Sequence, residues 1–186
     1  MKYASLALRW WRLLLTVLAL GGLLLLAGCA TSGYKDHFKR GGALLRQDQY
    51  AEAEKEFREA IRQVPDSESQ MNLAWVYYWL GWSVEKQKRY DDAAQAYREA
   101  IRLDPNWAKP YSRLGVVLNQ QGKLAEAEKV LREAVRVNHV QYEVATNLAV
   151  ILDREGKRKE ARIFWLKALE VDPDKERIKK RLAEPD

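Results

Sequence analysis

Apolar positions recur every three or four residues over most of the chain beyond residue 33. In YAEAEKEFREAIRQVP, Ala53, Phe57, Ala60, Ile61 and Val64 fall on one helical face. Three further stretches repeat the pattern: YDDAAQAYREAIRLDP, LAEAEKVLREAVRVNH and RKEARIFWLKALEVDP. Corresponding alanines are Ala53, Ala93, Ala127 and Ala161, so the last two steps are 34 residues and the first is 40. Pro65, Pro105 and Pro173 close three of these stretches and disfavour helix at the residue before them. Gly122 and Gly156 suit the turns between paired helices, where a left-handed backbone is readily taken by glycine. One helix pair cannot bury its apolar face alone, so neighbouring pairs must stack. The pattern predicts an all-α chain of stacked helix hairpins.

A period of 34 is the tetratricopeptide period, and the residues at fixed places resemble that family. Repeat two supplies Tyr77, Leu80, Gly81 and Val84, then Ala93, Tyr97, Ala100 and Pro105. Repeat three supplies Tyr111, Leu114, Gly115 and Leu118, then Ala127, Leu131 and Ala134, with His139 where proline is usual. Repeat one gives His37, Gly41, Leu44, Ala53, Phe57, Ala60 and Pro65, with Arg40 in place of leucine. Repeat four gives Leu148, Leu152, Ala161, Trp165, Ala168 and Pro173, with Ala145 and Ala149 replacing the aromatic and the glycine. The resemblance implies a tetratricopeptide-repeat solenoid of four antiparallel helix pairs, a right-handed superhelix whose concave face is lined by the first helices. Its repeats are 34–67, 74–107 (with extra residues 68–73), 108–141 and 142–175, followed by a tail, 176–186. In that tail only Ile178 and Leu182 are placed to cover the open end of repeat four.

The long first interval adds six residues near Glu68–Leu73, and neither Gly nor Pro interrupts 68–80. The sequence therefore predicts a lengthened helix over about Glu68–Gln87, roughly 30 Å at 1.5 Å per residue. It carries two apolar stripes. Leu73, Tyr77, Leu80, Gly81 and Val84 match the family's packing positions, whereas Met71, Trp75, Tyr78 and Trp82 form a second stripe. The resemblance turns Trp75, Tyr78 and Trp82 towards the groove, with Phe38 and Leu45 from repeat one and Lys109, Ser112, Val116 and Asn119 from repeat three. Exposed apolar patches tend to be interaction sites, and Trp and Tyr are enriched in binding hot spots. The expected groove is thus Trp75, Tyr78, Trp82 and Phe38 with a Lys109/Arg113 edge and Asn119. Two alternatives bury the stripe instead: an insert folded back over it, or a homodimer seam. Lys109 and Arg113 match the carboxylate clamp of chaperone-binding relatives, but Phe38, Gly42 and Trp79 replace its Lys and two Asn residues, so that specificity is not expected.

The first thirty residues read differently. Lys2, Arg9 and Arg12 precede the apolar run LLLTVLALGGLLLLA, Leu13–Ala27. Its 15 residues suit a secretory signal and fall short of the roughly 20 that span a bilayer. Leu26-Ala27-Gly28-Cys29 resembles a bacterial lipobox. That implies removal of residues 1–28 and diacylglyceryl on Cys29, with 29–33 a short lipidated linker. Several acyl chains on one residue anchor durably. The other reading is an uncleaved anchor over Trp10–Ala30. In a host with two membranes, Ala30 after the cysteine favours the outer one, with the chain facing the periplasm.

Composition changes this picture little. Gly and Pro are scarce, 10 and 5, as suits helices. The formal charge of +6 includes Lys2, Arg9 and Arg12, and the basic cluster at Lys175, Arg177, Lys179, Lys180 and Arg181 suits a solvated terminal helix. No nucleic-acid partner is expected. Cys29 is the single cysteine, so no disulfide framework exists. No phosphate loop, nucleophile elbow or zinc-protease motif appears. His37 and His139 stand at unrelated repeat positions, and Asp91-Asp92 sit in a helix's first turn, where negative charge suits the helix dipole. No catalytic residue, metal or cofactor is expected. The chain reads as an adaptor of the bacterial envelope, resembling outer-membrane lipoproteins that serve pilus or secretin assembly or peptidoglycan machinery. The other function class is a glycan-binding module, with tryptophan faces stacking on sugars and Lys109, Asn119 and Gln120 meeting hydroxyls.

Overall fold

The computed structural model describes residues 33–137, 141–172 and 175–184. The signal segment, Cys29, His139 and Pro173 lie outside these. Among the described residues there are nine helices and no strand: α1 Gly33–Leu45, α2 Tyr50–Gln63, α3 Gln70–Lys86, α4 Tyr90–Leu103, α5 Ala108–Gln120, α6 Leu124–Val137, α7 Tyr142–Arg154, α8 Arg158–Val171 and α9 Glu176–Ala183. Helices pair as α1/α2, α3/α4, α5/α6 and α7/α8, and each second helix packs on the next first helix. None of the described helices is long and apolar enough to cross a membrane.

The four hairpin turns share one hydrogen-bond pattern. The amides of Gln49, Arg89, Lys123 and Lys157 donate to the carbonyls of Leu44, Val84, Leu118 and Leu152. One residue in each turn must take positive φ: Asp48 at 57°, Lys88 at 62°, Gly122 at 75° and Gly156 at 76°. The two glycines were expected there. Asp48 and Lys88 hold the same conformation without glycine's freedom, because the rest of the turn and the packed helices fix it.

Small residues on first helices receive large ones from second helices. A Cβ at Gly41 would lie 2.7 Å from the Phe57 ring, at Gly81 2.8 Å from Tyr97, and at Gly115 2.7 Å from Leu131. Phe57, Tyr97 and Leu131 are all fully buried. The extra six residues divide between loop and helix. Residues 64–69 link α2 to α3, two more than the 104–107 link, and Gln70–Leu73 add a turn to α3. The helix is lengthened as predicted but begins at Gln70 rather than Glu68, because Ser69 is extended and Glu68 closes a turn on the Pro65 carbonyl.

Ion pairs tie neighbouring repeats. The Glu54 carboxylate accepts from Arg58, Gln87 and Arg89, the last at 2.8 Å. One full pair of repeats later, Glu128 accepts from Arg132 and from Lys157 at 2.6 Å. The hydrogen bond from Lys157, with that from Arg132, outweighs burial and lowers the Glu128 carboxyl to about 2. Ala94 takes this place in repeat two, so the equivalent Lys123 turns to Asp91 at 3.6 Å. At the far end, α9 buries Ile178 and packs Leu182 against the core. Arg162 donates to the Leu182 carbonyl at 2.7 Å, fixing α9 on α8.

Candidate partner-binding groove

The lengthened α3 faces α1 across two adjoining depressions that share Phe38. The outer, about 300 Å³, is lined by Tyr34, Lys35, Phe38, Asn72, Trp75 and Val76. The inner, about 370 Å³, is lined by Phe38, Gly42, Leu45, Arg46, Trp79 and Trp82, with Phe57 among its walls. Both have mostly apolar walls. Gly42 contributes to the opening directly, since nothing lies within 4 Å of where its Cβ would stand.

The aromatic residues form one connected set. Trp75 stacks on Trp107 with centroids 4.7 Å apart and planes 25° apart. Trp107 also meets Tyr78 at 4.8 Å, and Tyr78 meets Trp79 at 5.2 Å. Trp79 meets Trp82 edge-on at 5.5 Å, and Trp82 meets Tyr50 at 6.4 Å. Such contacts hold large apolar area in fixed positions.

This arrangement corrects the expected stripe. Tyr78 is only 8% exposed. Trp107, from the loop before α5, closes over it while Tyr97 lies beneath at 5.8 Å. It is a packing residue, not a groove wall. Trp75 remains 40% exposed and Met71 57%. Trp82 and Phe38 are half-buried with free surface in the inner depression.

The polar edge is also changed. Arg113 donates to Glu85 at 3.4 Å, and Glu85 accepts from the Tyr97 hydroxyl at 2.6 Å. Burial works against the Arg113 charge, but the Glu85 carboxylate outweighs it and holds the guanidinium protonated. Burial, reinforced by Glu85, pushes the Tyr97 phenol far up. Asn119 is engaged as well: Arg154 donates to its side-chain oxygen and, at 3.2 Å, to its carbonyl. Lys109 alone of the polar edge stands exposed, away from the two depressions. Among the described residues no group of three or more His, Cys, Asp or Glu is placed to hold a metal.

Sequence reasoning overlooked Trp79, Arg46, Tyr34 and Trp107 as parts of this region. One signal for Trp79 was available: the clamp comparison already set it at a ligand-contacting position. Tyr34 is buried, and burial together with its bond to Glu68 pushes its phenol up to about 12.

Three family models described as tetratricopeptide repeat match residues 38–106, 85–146 and 142–175. Among solved structures, MamA is similar at 20% identity, covering 78% of this chain and 82% of that one with TM-score 0.68. YrrB, described as a TPR protein with an unusual peptide-binding site, is similar at 21% identity over 81% of this chain and 74% of its own, TM-score 0.67. PilF of Pseudomonas aeruginosa is similar at 20% identity over 82% of this chain and 67% of its own, TM-score 0.68. At these identities the likeness concerns the fold. The comparison with curated proteins found no match.

Proposed function

This chain is a tetratricopeptide-repeat protein, and we propose that it is an interaction scaffold held on a bacterial envelope membrane by a lipid on Cys29. Its partner is a protein segment that places apolar side chains in the inner depression, against Phe38, Trp79 and Trp82. The observation that carries this reading is the depression itself: about 370 Å³ of mostly apolar surface that repeat stacking leaves uncovered. Half-buried tryptophans held by neighbouring rings lose little freedom on binding, which favours them as anchors. The peptide-binding site named for YrrB lends support by analogy of fold. Assembly or regulation of a pilus, secretion or peptidoglycan complex is the role that fits a tethered scaffold of this kind. The anchor rests on the basic start, apolar run and Ala27-Gly28-Cys29 of the sequence.

The test is affinity purification from crosslinked envelopes, run in parallel with wild type and Phe38→Ala/Trp82→Ala. Tyr78 is left intact because it is packing. The partner is expected to disappear from the double variant while circular dichroism stays unchanged. Equal recovery of every protein by both forms would sink the reading.

A further inference from the structure

First helices α1, α3 and α5 are each followed by an antiparallel partner, so they run the same way and their N-termini share one edge. That edge carries Lys35, Met71, Trp75, Trp107 and Lys109. Contacts across it confirm the common level: Trp75 stacks on Trp107, and Tyr34 is hydrogen-bonded to Glu68. Met71 and Trp75 are the two most exposed large apolar side chains of the first two repeats. Packing within the solenoid does not use them fully.

The chain enters at this same edge. Only Ala30, Thr31 and Ser32 separate Cys29 from Gly33, where α1 begins. Even fully extended, that stretch reaches at most about 14 Å. A lipid on Cys29 therefore confines the edge to the immediate surface of the bilayer. We propose that Met71, Trp75 and Trp107 rest in the lipid interface, so that the solenoid stands edge-on to its membrane in one orientation. This inference rests on the lipid anchor proposed above.

The chemistry fits an interface rather than bulk water. Indole rings settle at headgroup level, with an apolar body and a polar N–H, and lysines beside them keep their charge in water. Charge is not the driving force, because Asp36 follows Lys35 directly and Glu68 lies close enough to feel its charge. Neutral lipid should suffice. Depth is limited too. Trp82 lies eleven residues beyond Met71 on α3, about 16 Å along the axis. The headgroup layer is only about 6 Å per leaflet. The outer depression thus meets the lipid and the inner one stays clear for a protein segment.

The experiment uses the mature lipidated chain in phosphatidylcholine vesicles. Cys29 is the only cysteine, and its thiol carries the lipid, so Met71→Cys and Lys86→Cys each provide a single labelling site. Both residues are exposed, at opposite ends of α3. A nitroxide at position 71 is expected to favour collisions with oxygen over a water-soluble nickel chelate several-fold more than one at position 86. Equal water access at both positions, with diacylglyceryl found on Cys29 by mass spectrometry, would overturn the edge-on contact and leave the anchor standing. An unmodified Cys29 in the membrane-purified chain would overturn both.

Discussion

Repeats one and two are built on the same helix hairpin as repeats three and four, yet their first helices meet differently. In the C-terminal half α5 and α7 pack directly on each other. Asn147 donates to the Ser112 hydroxyl at 2.9 Å, and Arg154 reaches Asn119. In the N-terminal half α1 and α3 meet sparsely and leave two depressions between them. The difference lies at matching places in the repeat. Trp75, Trp79 and Trp82 of α3 correspond to Lys109, Arg113 and Val116 of α5 and to Glu143, Asn147 and Val150 of α7. Where α7 and α5 bring the small polar pair Asn147 and Ser112 together, the matching positions of α3 and α1 are Trp79 and Phe38. Indoles are too large for that approach and hold a cleft open. One template therefore yields one half closed between its first helices and one half left open.

The comparison is broken most directly by trimming one residue from each half. Leu148 is fully buried, and Leu148→Ala is expected to destabilise by about 2–5 kcal/mol. Trp82→Ala removes a larger but half-exposed side chain with ring contacts to Trp79 and Tyr50 and is expected to lose less, about 2 kcal/mol. Urea unfolding measures both. A Trp82→Ala loss equal to that of Leu148→Ala would make the open half ordinary core. Next in size is Gly81→Ala, whose new Cβ would press to 2.8 Å from the Tyr97 ring. Overpacking there is expected to destabilise by about 1–3 kcal/mol, readable as a lowered melting temperature with no gain from the better helix former.

The smallest effect sharpens the closed half alone. Glu128 titrates near 2 in the folded chain instead of its ordinary 4.5, because Lys157 and Arg132 bond its carboxylate. A depressed carboxyl stabilises fully above the ordinary value and loses that contribution as pH falls through the folded value. The stability gap between wild type and Glu128→Gln should therefore be constant above pH 4.5 and close towards pH 2 in acid titrations of the melting temperature.

Much of the scaffold was legible because it follows from spacing. Alanines 34 or 40 residues apart, glycines at the hairpin turns and proline stops are local signals, and they announced the all-helical repeat fold. What escaped depends on residues brought from elsewhere. Nothing in the 3.6-residue period of α3 distinguishes Tyr78 from Trp82. Trp107, a loop residue 29 positions on, covers the first and leaves the second. Likewise Arg113 and Asn119 read as free groove groups until Glu85 and Arg154 come within bonding distance. The left-handed turns at Asp48 and Lys88 escaped because their conformation is imposed by the hairpin rather than announced by glycine.

The C-terminal helix repeats an earlier contact in miniature. Arg181 of α9 donates to Asp153 at 3.0 Å, and Asp153 also accepts from Trp165 at 3.0 Å. Arg113, Glu85 and Tyr97 make the same triangle between repeats two and three. Helix α9 thus occupies the seat that the first helix of a fifth repeat would take, while being only eight residues long. A solenoid with that seat vacant would offer its end to the beginning of an identical molecule, the head-to-tail contact that grows without closing. By filling the seat from its own chain, the protein covers one of the two faces such growth requires.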